Sequence, residues 1–289
     1  MTQTPDLNAA TRFMAETGRV LDQRRFQLFF CGGGVTPVRA AVAAYRNADG
    51  GFGNSLEPDC RCPLSQPAPT EMALRLLDEA AAWDAELAQD ACNWLQRNEA
   101  VGGGATMVEA NVTDWPRAPW WVPEDGRPPS LIQTGLLAGV LHSRGVSHPW
   151  LERATEVMWE RIGGLSEPGP YEMFGVLKFL ECVPDRKRAQ RVFDTVGPLL
   201  LDRKLVELDP DAPGETHGVL AFAPKPESMA RALFDAATVD VHLDKLAAGQ
   251  QEDGGWTFNW PQWSEAATLD WRGFMTVDAL MVLRANGRL

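Results

Sequence analysis

The stretch "QQEDGGWTFNWPQW", Gln250 to Trp263, packs an acid, two glycines and a tryptophan into one turn, and "RNADGGFG", Arg46 to Gly53, nearly repeats it. Glycine after a helix supplies the left-handed conformation that residues with a Cβ resist, and a preceding aspartate can turn its carboxylate onto the freed backbone N–H groups. Asp49 and Asp253 are therefore expected to be structural, with Phe52 and Trp256 stapling each turn onto the next hairpin. Gly102-Gly103 and Gly163-Gly164 add two more glycine pairs, and the first three pairs recur at roughly 50–60 residues, about the period of a helical-hairpin repeat. A degenerate unit at "DAPGETHG" fills the wider final interval.

Between the turns the apolar spacing is helical. In "TEMALRLLDEAAAW", Met72, Ala73, Leu76, Leu77, Ala80 and Trp83 line one face, with Thr70 placed to cap the helix and Glu71 in its first turn. Further helices are expected near Leu7–Gln23, Val38–Arg46, Asp84–Arg97, Ser130–Ser143, Trp150–Ile162, Tyr171–Cys182, Asp185–Arg203, Glu227–Phe234, Thr238–Ala248 and Gly273–Ala285. No alternating strand pattern competes. Two segments, "LIQTGLLAGVL" from Leu131 and "GFMTVDALMVL" from Gly273, are apolar nearly all round, so other helices should enclose them. The expectation is an all-α chain built in two layers.

With 289 residues, 45% of them hydrophobic, the chain can bury a large core. A net charge of -12 disfavours nucleic acid and anionic lipid. The amino terminus has no apolar leader and no window is long enough to span a bilayer, so cytoplasmic residence is expected, without stable membrane insertion. Cys31, Cys60, Cys62, Cys92 and Cys182 are odd in number and scattered, as reduced thiols are. His142, His148, His217 and His242 have no zinc spacing. No metal or cofactor is expected.

Gln250 to Trp256 resembles the Q-x-x-D-G-G-W repeat, the QW motif of squalene and oxidosqualene cyclases that also occurs in protein prenyltransferase β subunits. Arg46 to Gly53 looks like a weaker copy, and Gly50 to Pro67 is similar to the opening of a broad set of bacterial proteins that carry this repeat. The resemblance implies a single α/α toroid over residues 1–289, two concentric rings of helices about a central cavity, with Leu131 and Gly273 opening inner-ring helices. It also implies an apolar isoprenoid-type ligand. The D-x-D-D acid of class II cyclases and the magnesium-binding D-D-x-x-D of class I synthases are absent, and the prenyltransferase zinc set is not met by Asp59, Cys60 and Cys62.

What remains is Glu57-Pro58-Asp59. Proline fixes its own φ and keeps Glu57 out of the helical region, so two carboxylates project from a stiff strap. At the mouth or floor of an apolar cavity they would have raised and separated pKa values and serve as general acid. Alternatively they cap a helix or accept backbone N–H bonds. The loop from Gly102 to Ser130 is long enough to be a lid or a binding segment. Its Trp115, Trp120 and Trp121 could stack on an isoprene chain, a sugar or a cation, or simply plug one end of the fold. Asp278 interrupts an apolar helix and either faces the cavity, as a third candidate acid, or reaches a polar edge. Asp270 could cap that helix; Arg272 could pair with an acid or bind an anionic ligand group. His217, near Glu215, is either a base or a solvated loop residue.

Three functions are open at this stage: a cyclase-like or prenyltransferase-like protein holding an apolar ligand, a carbohydrate-active toroid with paired carboxylates, and a non-catalytic scaffold. Apolar walls around one or two acids would favour the first. An acidic groove with exposed tryptophans would favour the second.

Overall fold

The computed structural model describes residues 4–289. Helix makes up 56% of the chain and strand 2%, so the fold is all-α. The helices are α1 (Leu7–Thr17), α2 (Val20–Phe30), α3 (Val35–Ala43), α4 (Pro67–Glu79), α5 (Ala85–Arg97), α6 (Leu131–Ser143), α7 (Pro149–Gly163), α8 (Pro170–Cys182), α9 (Arg186–Val196), α10 (Leu199–Asp202), α11 (Val219–Phe222), α12 (Ala236–Ala248) and α13 (Glu265–Ala285). None is long and apolar enough to cross a membrane.

The boundaries follow local chemistry. Gly18, at φ -67 and ψ 141, leaves the helical region and splits the expected Leu7–Gln23 helix into α1 and α2. Gly197 and Pro198 keep helical dihedrals, but proline has no N–H to donate, and the expected Asp185–Arg203 helix is divided there into α9 and α10. Asp6, Asp84, Ser130, Asp185 and Ser264 each accept a backbone N–H at the start of a helix. Thr70 is not the cap of α4, because Pro67 already starts the helix and Thr70 lies within it. Asp270 likewise lies inside α13, which Ser264 caps.

Two compact units divide the described residues. One comprises residues up to Val38 together with Lys204–Leu289, the other Arg39–Arg203, so the boundary falls within α3. In the second unit α6 is buried on nearly every side and crosses α8 closely. A Cβ on Gly135 would collide with the backbone of Gly175, and one on Gly175 with that of Leu131, so both glycines are needed for the crossing. In the first unit α13 packs on α1, α2 and α12.

One joint recurs in both units. In the first turn Asn47 N–H donates to Gly51 O (2.9 Å) and Gly50 N–H to Asn47 O (3.1 Å). In the last, Gln251 N–H donates to Gly255 O (2.8 Å) and Gly254 N–H to Gln251 O (2.9 Å). Asp49 and Asp253 each accept the second glycine's N–H, at 3.0 and 3.1 Å, as expected of structural caps. The aromatic's N–H then donates to a threonine hydroxyl, Phe52 to Thr70 (3.1 Å) and Trp256 to Thr276 (2.9 Å). Each hydroxyl passes its own proton to the carbonyl four residues back, Gln66 or Arg272.

A third copy is centred one residue later than the sequence spacing indicates, on Gly103-Gly104. Ala100 N–H donates to Gly104 O (3.1 Å), Gly103 N–H to Ala100 O (3.0 Å), and Ala105 N–H to Thr134 Oγ1 (3.0 Å). By contrast Gly163 and Gly164 end α7 without this turn: neither has positive φ, and a Cβ on either would meet nothing.

The first glycine of each joint has φ of 94°, 113° and 94°, at Gly50, Gly103 and Gly254. A Cβ there would press on a neighbouring helix: on Asp90 of α5, Val157 of α7 and Ala9 of α1. The residue before each turn reaches the same helix, through the ion pairs Arg46–Asp90 and Glu99–Arg153 (2.9 Å) and through Gln250, which bonds both backbone groups of Asp6.

Two stability predictions follow from the joint. Asp253→Ala should lower unfolding free energy by about 0.5–2 kcal/mol, measured by urea titration, since a cap is lost. Arg272 donates to Asp253 at 2.7 and 2.8 Å, and this holds its carboxyl below the usual carboxylate range, with the Gly255 N–H adding to the effect. A depressed folded pKa contributes stability above the unfolded value of about 3.9 that is lost as pH falls below it. The wild-type advantage over Asp253→Ala should therefore shrink between about pH 5 and pH 2. An advantage that stays constant across that range would exclude this role.

Candidate functional site

The strap runs from Gly53 to Gln66 in the second unit and begins with two left-handed residues, Asn54 (φ 57°) and Ser55 (φ 64°). It folds on itself through Leu56 N–H to Gly53 O (3.0 Å), Cys60 N–H to Glu57 O (3.1 Å) and Asn54 N–H to Cys62 O (3.0 Å). The long loop pairs with it: Ala118 N–H donates to Asp59 O (2.8 Å) and Arg61 N–H to Pro116 O (3.0 Å), with an isolated bridge between Cys60 and Arg117. With its backbone fixed in this way, the strap buries both acids, Glu57 to 6% exposure and Asp59 to 4%.

Other polar side chains are buried in the same unit. Gln66, at the start of α4, accepts Glu109 N–H with its Oε1 (2.9 Å) and donates from Nε2 to Asn111. Glu109 accepts from Thr106 Oγ1 (2.8 Å) and from both terminal nitrogens of Arg127. Arg127 also donates to Asn98 O (2.9 Å) and accepts Val101 N–H (2.9 Å), so this one side chain and its carbonyl close the long loop on the end of α5. Glu71, in the second turn of α4, is buried and pairs with Arg75 (3.0 Å). Two stretches of the long loop enclose a cavity of about 30 Å³ between them, bordered by Thr106, Met107, Val108, Pro123, Glu124 and Arg127 among others.

The three loop tryptophans do not act as one group. Trp121 is buried, whereas Trp115 and Trp120 are 39% and 41% exposed. Trp121 is thus packed inside, and Trp115 and Trp120 stay partly accessible on the loop.

Asp278, Arg272 and His217 belong to the first unit. Arg25, fully buried on α2, donates to Asp278 (2.7 Å), lies over the Phe274 ring (4.6 Å) and approaches the buried Asp22 at 3.5 Å. Arg272 is engaged by Asp253, by Trp256 O (3.3 Å) and by the face of Phe13 (4.8 Å), the acid-pairing alternative of the two it offered. Burial lowers the His217 pKa against the opposing charge of Glu215, which leaves the ring neutral at pH 7. Phe258, Trp260, Trp271 and Phe274 form a continuous aromatic run at centroid spacings of 4.3, 5.1 and 5.5 Å.

Among the described residues no group of three or more His, Cys, Asp or Glu could hold a metal ion. Burial pushes the Cys60 thiol up to about 12, with the Glu57 charge adding to it, raises Cys62, and takes Cys92 to about 12. A nucleophilic thiol needs the opposite shift.

Sequence reasoning missed Gln66, Glu109, Arg127 and Gln133. Nothing in their spacing marks them, since each gains its meaning from a partner 18 or more residues away. No protein-family model and no curated protein matches the chain.

A labelling experiment checks this description. At pH 8 iodoacetamide should modify exposed Cys31 rapidly, while Cys60, Cys62 and Cys92 react only after unfolding, as read by intact-protein mass spectrometry. Fast labelling of Cys60 in the folded protein would mean that the strap opens.

Proposed function

We propose that the chain is an α/α toroid of the QW-repeat kind, a single cytoplasmic domain that binds an apolar isoprenoid-type ligand and uses the strap carboxylates as its acids. The burial of Glu57 and Asp59 carries this reading. Burying a carboxylate is costly, and here two of them sit a single proline apart on one short segment whose backbone is fixed. The repeated joint supports the toroid: three copies of one turn, each set against a following helix and a partner helix, build the hairpin architecture that the motif implies. In this reading Glu57 or Asp59 delivers a proton to an alkene or allylic oxygen, and the neighbouring acid stays ionised to stabilise the developing cation.

A second reading has its own observation. Trp115 and Trp120 present exposed indole faces in the unit that buries Glu57, Asp59, Glu71 and Glu109, which is the combination a sugar ring and a glycosidic oxygen require.

Quenching of tryptophan fluorescence, with melting temperature as second readout, separates the two. Geranylgeraniol should quench the protein and raise its melting temperature by a few degrees at saturating concentration, as binding to the folded state alone dictates. Trp120→Ala should weaken that binding, and a Glu57→Gln, Asp59→Asn double variant should bind without turnover. Response to cellotetraose alone would transfer the site to the second reading, and no response to either would remove both.

A further inference from the structure

We propose that Arg117 is a positioning residue that fixes the exposed indole of Trp120 against the strap carboxylates. The inference rests on the reading above, in which Trp120 meets the ligand and Glu57 and Asp59 act on it, but it does not depend on which ligand chemistry is right. Arg117 stands where the long loop and the strap meet. Pro116 O accepts Arg61 N–H (3.0 Å) and Ala118 N–H donates to Asp59 O (2.8 Å), with Arg117 bridged to Cys60 between them. Its backbone is thereby set against the strap. The side chain turns back over its own loop: Nε donates to Trp121 O (2.9 Å), and one terminal nitrogen to Thr113 O (3.1 Å) and Trp115 O (3.4 Å).

Trp120 lies between these anchors. Trp121 N–H donates to Ala118 O (3.1 Å), which closes a β-turn with Pro119 and Trp120 at its centre. One end of that turn, Ala118, is tied to Asp59. The other end, Trp121, is tied by its carbonyl to Arg117 and by the burial of its indole. With 41% of Trp120 exposed, the turn rather than packing sets where its ring points. The donor has to be a guanidinium, because its planar fork aims Nε and a terminal nitrogen at two carbonyls together, whereas a lysine ammonium is a single point. The charges of Glu57 and Arg117 both reach the Cys60 thiol, the first raising its pKa and the second lowering it, so the strap acid and the guanidinium share one neighbourhood.

A double-variant cycle on the full chain tests the assignment, with equilibrium dialysis against whichever of geranylgeraniol and cellotetraose the wild type binds. Trp120→Ala should weaken binding about tenfold. Arg117→Met and Arg117→Lys should each weaken it by no more than that. The Arg117→Met, Trp120→Ala double variant should bind within about twofold of Trp120→Ala alone, since Arg117 acts through an indole that is already gone. Hydrogen exchange supplies a readout without ligand: the amides of Trp121 and Val122 should exchange about tenfold faster in Arg117→Met, while those of α4 and α6 stay protected. Losses that add in the double variant, a loss in Arg117→Met larger than that in Trp120→Ala, full binding by either Arg117 variant, or unchanged exchange would overturn the assignment. Full binding by Trp120→Ala removes its premise and the assignment with it. If the wild type binds neither probe, the ligand reading fails and exchange decides alone: faster exchange confined to the turn keeps Arg117 as the residue that orients Trp120, and unchanged exchange removes that role too.

Discussion

The hydrogen bond from the backbone N–H after each glycine pair to a threonine hydroxyl governs the rest of the structure. Thr70, Thr134 and Thr276 each accept that N–H at 3.0 ± 0.1 Å, and each sits inside the helix that follows its loop. A threonine hydroxyl has one proton and two lone pairs, so it can accept from the turn while donating to a helical or loop carbonyl. It thereby satisfies a buried N–H that neither helix nor turn can reach. The loop length between turn and threonine is free to vary, and this freedom makes room for a strap of 14 residues in one repeat and for the much longer tryptophan loop in the next.

What the joint requires is geometry more than side-chain identity. The aspartate cap is present at Asp49 and Asp253, but Gly102 takes its place in the middle copy, where a third glycine stands where the other copies have their second. The ion pair at the rim is even reversed in sign: Arg46 faces Asp90, whereas Glu99 faces Arg153. Pairs exposed in this way contribute little stability each, and either polarity serves equally. The positive-φ glycine is different, because a Cβ there would strike the partner helix in every copy.

This division explains how much of the molecule could be read from residues alone. The outer copies were legible because Asp-Gly-Gly-aromatic is written out in full. The middle copy was misread by one residue because "VGGGA" contains two possible pairs, and only Thr134, 29 residues on, selects Gly103-Gly104. Thr70 invited a capping assignment, since threonine before an apolar run is a start signal; Pro67 and Pro69 in fact extend the helix upstream and leave the hydroxyl for the joint. The stiff, proline-rich strap was visible, as was the presence of two acids on it. Glu109, Arg127 and Gln66 were not, because an ion pair and an amide bridge closed across a long loop leave no periodic trace.

The strap and the long loop also differ from the joints in what they bury. At the joints buried polar groups are backbone atoms and a threonine, all matched by short bonds. In the loop-and-strap region the buried groups are Glu57, Asp59, Glu71, Glu109, Gln66 and Gln133, side chains whose desolvation has to be offset by partners. The main-chain pairing of Asp59 with Ala118 and of Arg61 with Pro116 already holds these two segments together. Gln66, Glu109 and Glu71 recover that cost through Asn111, Arg127 and Arg75, so side-chain bonds as well as backbone pairing hold the long loop and α4 in place.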